Sequence, residues 1–60
     1  MKYVVIKNRA PTINGEFMPL FIYTEPLKVI EEKDNTVVLE YNNNDSYVYE
    51  FKKEFIEKSI

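Results

Sequence analysis

Neither histidine nor cysteine occurs among these 60 residues, so any chemistry has to come from carboxylates, amides and phenols. The commonest general base, the commonest transition-metal ligand and the strongest thiol nucleophile are all missing, and no disulfide can staple the chain. The densest acidic group is Glu31, Glu32 and Asp34. Glu31 and Glu32 are neighbours in an extended run, which points them to opposite faces and denies them a shared pocket. "NNNDS", Asn42 to Ser46, offers oxygen ligands for a hard cation but lacks the alternating spacing and the closing bidentate glutamate of an EF-hand loop. A lone glycine, Gly15, does not make a phosphate-cradling loop. The sequon Asn44-Asp45-Ser46 reads as a solvated turn, because Met1 to Ile6 carries too short an apolar run for an export signal or a membrane span. The expectation is a protein without catalytic residues, metal or cofactor, located in the cytoplasm.

Aromatic side chains are the conspicuous resource: five tyrosines and four phenylalanines. Tyrosine suits interfaces because it combines a large rigid face with a hydroxyl. The chain offers more tyrosines than one small core needs, and the surplus predicts a contact patch drawn from Tyr23, Glu31, Tyr47, Tyr49 and Glu50. The formal net charge of −2, with eight lysines and arginines against ten acidic residues, argues against a nucleic-acid backbone as the partner, since phosphate binding needs clustered cations. The competing reading is a small nucleic-acid-binding barrel that stacks bases on Phe17, Phe21 and Tyr23.

These residues must be positioned by β-structure. Period two runs through most of the chain, and "KYVVIK", residues 2–7, is β-branched and aromatic, as a first strand requires. Asn14-Gly15 between Ile13 and Phe17 predicts a type I′ hairpin turn, in which both central residues take positive φ. Pro19 then makes "FMPLFIY" an edge, a bulge or an irregular loop. From Leu27 onward, "LKVIEE", "TVVLEY" and "SYVYEF" are separated by "KDN" and "NNND", whose Asp and Asn bond their own backbone in turns. Strands are expected near 2–7, 27–32, 36–41 and 46–51, with Val5, Ile30 or Val29, Val37, Leu39 and Phe51 in the core.

The closing stretch "YEFKKEFIEKSI" admits two readings, an amphipathic helix or a turn and a strand. On a helix, Phe51 and Phe55 share a side while Ile56 and Ile60 point away from it, so no compact apolar stripe forms. A single 3-10 turn over Lys52 to Phe55 followed by a short strand puts Ile56 and Ile60 on one face and Glu57 and Ser59 on the other. The turn and strand are the better fit.

The resulting order, from Lys2 to Ile60, resembles the SH3-like small barrel: a strand, a long two-armed loop, three strands, a 3-10 turn and a last strand. The resemblance implies one all-β domain over residues 1–60, a five-stranded barrel with a long loop after strand 1 and a short 3-10 turn near the C-terminus. SH3 domains that bind proline-rich peptides line their groove with a tryptophan and several tyrosines. This chain has no tryptophan, and Phe55 stands without a hydroxyl in the helical turn, so the resemblance carries the fold and not that ligand. An abundance of Lys, Asn, Ile, Phe and Tyr, with a short frame from Met1, is expected of a phage or mobile-element gene. The expected function is therefore a small interaction module that docks on a larger protein, such as a host protein, as an inhibitor or modulator.

Overall fold

The structure is a computed structural model and describes residues 2–60. Five strands form one antiparallel sheet: β1 (Tyr3–Ile6), β2 (Leu27–Glu32), β3 (Thr36–Glu40), β4 (Val48–Lys52) and β5 (Ile56–Ser59), in the spatial order β4-β3-β2-β1-β5. Two 3-10 turns interrupt them, at Leu20–Thr24 and at Lys53–Phe55. The all-β class, the strand order along the chain and the turn-plus-strand ending are as expected; the closed barrel is not. β4 and β5 are the two edges of the sheet, and the sheet stays open between them. This is a small five-stranded antiparallel sheet, compatible with an SH3-like fold.

The long segment between β1 and β2 supplies the cover for the core. Val4, Ile6, Leu27, Val37, Leu39 and Phe51 come from four strands, and Ala10, Met18, Ile22 and Tyr23 come from the loop and its 3-10 turn. Together they leave the chain with extents of 25 × 22 × 20 Å. One hydrogen bond ties the loop to the sheet's far edge, from the Ile13 N–H to the Glu50 carbonyl at 3.0 Å. A loop strapped along β4 occupies one of the edge carbonyls that would otherwise invite another chain.

Two further expectations need correction, the burial of Val5 and the type I′ turn at Asn14-Gly15, and the choice between Ile30 and Val29 falls to Val29. In β1 the buried residues are Val4 and Ile6, and Val5 is only half-buried. "YVVI" is apolar at every position, so its period has no readable phase. The phase is set by pairing, since Val4 lies opposite Leu27 on one side and Ser59 on the other. In β2, Val29 packs on the core and Ile30 is 44% exposed. Alternation from Leu27 and Val29 already points Ile30 outward, and the register shift of β2 against β3 between Val29 and Glu31 lets Glu31 pair with Val38 on the outer face as well.

Asn14-Gly15 does form a turn, but not type I′, because only Gly15 takes positive φ, at 81°. The Thr12 hydroxyl accepts the N–H groups of Asn14 and Glu16 at 3.3 and 3.1 Å, and the Thr12 N–H donates to the Glu16 carbonyl at 2.7 Å. That pattern is a three-residue loop with its glycine in the left-handed region, stabilised by a Ser/Thr-type side-chain bond. The positive-φ pair appears instead at Asn42 and Asn43, at 54° and 53°, where the Asn44 N–H closes on the Tyr41 carbonyl at 3.1 Å. Asparagine tolerates that region better than most residues. No helix among the described residues is long and apolar enough to cross a membrane.

Candidate functional site

The five residues expected to form one patch are distributed over three places. Tyr23 is 3% exposed. Its hydroxyl donates to the Ala10 carbonyl at 2.7 Å and accepts the Met18 N–H at 3.1 Å, so it pins both arms of the long loop and offers nothing to a partner. Its place in a contact patch is therefore corrected. A buried tyrosine has to satisfy its hydroxyl, and at this position two loop backbone groups do so.

Glu31 and Glu50 are both cross-strand partners of Val38 and lie in one row on the outer face of the sheet. Glu50 is already engaged there. It accepts from the Thr36 hydroxyl at 2.6 Å and pairs with the Lys33 ammonium at 3.2 Å, and these two contacts, Thr36 first, hold its carboxyl below the ordinary carboxylate range. Glu32, the neighbour of Glu31, is held low in the same way by Lys2 and then Lys53, each at 3.2 Å.

Tyr47 and Tyr49 stand on the opposite side from Glu50, as alternation along β4 requires. Tyr49 is the partner of fully buried Leu39 and is half-buried; burial first, then the proximity of Tyr47, Tyr23 and Glu16, pushes its phenol above the ordinary value. Tyr47 sits where the β3–β4 hairpin closes, its carbonyl accepting the Tyr41 N–H at 3.0 Å.

At this hairpin end the structure assembles a ridge of apolar side chains. Phe21 meets Tyr41 edge to face at 5.8 Å and 72°, and Tyr41 meets Tyr47 in the same way at 5.9 Å and 79°. Leu20, directly before Phe21, and Phe17, four residues before it, are each 62% exposed, and Phe21 itself is 55% exposed. The ridge is positioned by the 3-10 turn, which starts after Pro19 and points Leu20 and Phe21 outward while Ile22 and Tyr23 point inward. Sequence reasoning named Tyr47 here, and Phe17 and Phe21 only for stacking bases; it missed Leu20 and Tyr41. The available signal was the adjacent pair Leu20-Phe21 directly after a proline, since Pro19 interrupts the strand pattern of "FMPLFIY" and the four consecutive apolar or aromatic residues after it exceed what one face of a short element can bury.

A cleft of about 430 Å³ adjoins the ridge and shares Tyr41 with it. A second, of about 570 Å³, opens between the long loop, the β2–β3 turn and the second 3-10 turn, where Ile13, Thr36, Lys52 and Lys53 line it and no aromatic side chain does. Among the described residues no three acidic side chains come together as a metal site would need. Compared with known proteins, the chain matches no protein-family model, no curated protein and no solved structure.

Proposed function

We propose that this chain is a non-catalytic interaction module that docks on a larger protein through the ridge of Phe17, Leu20, Phe21, Tyr41 and Tyr47, and that it acts there as an inhibitor or modulator of a host protein. The carrying observation is the exposure of Phe21, held edge to face on Tyr41, together with that of Leu20 and Phe17 in the same short segment of chain. Clustered large apolar side chains left in water on a small domain mark an interaction surface more often than chance. Aromatic anchors are the residue types that dominate binding energy at such surfaces. The ridge is also held in place before binding, by the two hydrogen bonds of Tyr23 and by the edge-to-face contacts, so less ordering entropy opposes association.

Scale is consistent with this reading. A specific interface buries about 800 Å² on each partner, roughly one-fifth of the 4036 Å² that the chain exposes. For the alternative, base stacking on Phe17 and Phe21, the exposure is equally suitable but the charges are not: Glu16 precedes Phe17, and Glu25 follows the 3-10 turn that carries Phe21.

Capture from extracts of the source cells, comparing the tagged chain with a Leu20→Ser/Phe21→Ala double variant, tests the proposal. The variant, whose changes fall on exposed side chains, should keep its fold and lose about tenfold or more of the captured protein. Equal capture by both chains refutes the ridge. Capture that disappears with nuclease and falls steeply with log salt moves the nucleic-acid reading ahead.

A further inference from the structure

The cleft beside the ridge carries a more specific chemistry. Tyr3, Lys28 and Glu40 are successive cross-strand partners on the outer face, and with Glu25, Tyr41 and Asn42 they line it. Two carboxylates, Glu25 and Glu40, one ammonium, Lys28, and two phenol rings, Tyr3 and Tyr41, therefore border the same cleft. Among the described residues, neither Glu25 nor Glu40 enters an ion pair, whereas Glu32 at the far end of β2 and Glu50 in the middle of β4 are both engaged by lysines. Two unpaired carboxylates, one from the loop and one from β3, thus share a cleft that adjoins the aromatic ridge, and Tyr41 belongs to both.

From this juxtaposition we infer that the cleft receives an arginine side chain of the protein partner, set next to the apolar residues that cover the ridge; the inference rests on the docking role proposed above. A guanidinium suits both kinds of wall. Its planar fork matches carboxylate oxygens, and its face stacks on phenol rings with a cation–π contribution. Lysine's ammonium is a compact, strongly hydrated point charge and uses only the first of these. Lys28 competes for the same carboxylates, and its flexible stem lets it give way when the guanidinium enters.

The test needs only the protein and a small probe, so it is independent of the partner's identity. Backbone amide resonances are followed while Nα-acetyl-arginine amide is added, with the neutral isostere Nα-acetyl-citrulline amide as control. The account expects saturable shifts at Tyr3, Lys28, Glu40 and Asn42 with the arginine probe, at a Kd on the order of millimolar, and none with citrulline. Glu40→Gln should weaken binding roughly threefold and Lys28→Met should strengthen it by a similar factor, as removal of one partly exposed charge does. Both changes are on the outer face, and the same spectra report whether the fold is kept. Equal shifts from the two probes, no shifts at these amides, or a Lys28→Met protein that binds no tighter would each overturn the assignment. Failure here leaves the ridge test untouched, because the Leu20→Ser/Phe21→Ala comparison does not involve the cleft.

Discussion

The hydroxyl of Tyr23 lies 2.7 Å from the carbonyl oxygen of Ala10, thirteen residues away in the chain, and donates its proton there while accepting the N–H of Met18. One buried side chain thereby fixes the start of the long loop against its return arm. Tyr23→Phe leaves the ring in place and abandons two buried backbone groups, at about 1–3 kcal/mol for each group left unsatisfied. A lowered urea midpoint, with faster hydrogen exchange at the Met18 amide, is the expected result. Exposure of Phe17, Leu20 and Phe21 depends on this clamp, so the same variant should also weaken partner capture.

Leu39 is fully buried at the centre of the sheet, opposite Val29 and Tyr49. Leu39→Ala should cost about 2–5 kcal/mol, a large share of the roughly 3–5 kcal/mol expected of a domain this small. Thermal melts of Val4→Ala and Val5→Ala complete the check: truncation at Val4 should be the more damaging, because its side chain and not that of Val5 lies in the core.

How far the sequence could be read follows from these residues. Period two located β2, β3 and β4 within two residues, and the sharing of one face by Val37 and Leu39 was legible because Thr36 and Glu40 mark the opposite face as polar. β1 defeated the method because four apolar residues in a row carry no phase. The bulge at Ile30 was invisible because it answers to the pairing of β2 with β3 and not to the local sequence. Tyr23 was misread as surface for a related reason: only the fold shows that Ala10 and Met18 bring two backbone groups to its hydroxyl. The ridge was half legible, with Phe21 and Tyr47 in view, but their approach through Tyr41 joins segments that are far apart in the chain.

Arg9 holds a positive φ of 64° in the turn where the Ala10 N–H returns to the Lys7 carbonyl at 3.1 Å. A branched side chain there should be costly, on the order of 1–2 kcal/mol for Arg9→Val. Arg9→Gly removes the steric conflict and gives up unfolded-state restriction of comparable size, so its melting midpoint should stay at or above that of the parent chain.

Acid should destabilise the fold through Glu32 and Glu50. Both carboxyls sit below their ordinary value of 4.5, Glu32 through Lys2 and then Lys53, Glu50 through the Thr36 hydroxyl and then Lys33. A depressed folded-state pKa means that the unfolded chain binds protons first as pH drops, so the stabilisation is fully present above about 4.5 and is lost as pH falls through the folded values. Melting curves from pH 7 to pH 3 should show this decline, and Glu32→Gln/Glu50→Gln should flatten it. Added salt should shrink the effect, since both carboxylates are solvent-accessible.

Site-specific photo-crosslinking tests the docking claim most directly. A benzophenone side chain replaces Phe21 on the ridge in one chain and Glu57 on β5, away from the ridge, in another, and both are irradiated in extracts of the source cells. The account predicts one discrete protein adduct from position 21, insensitive to nuclease, and none from position 57. No adduct at position 21, the same adducts from both positions, or an adduct that nuclease removes would contradict it.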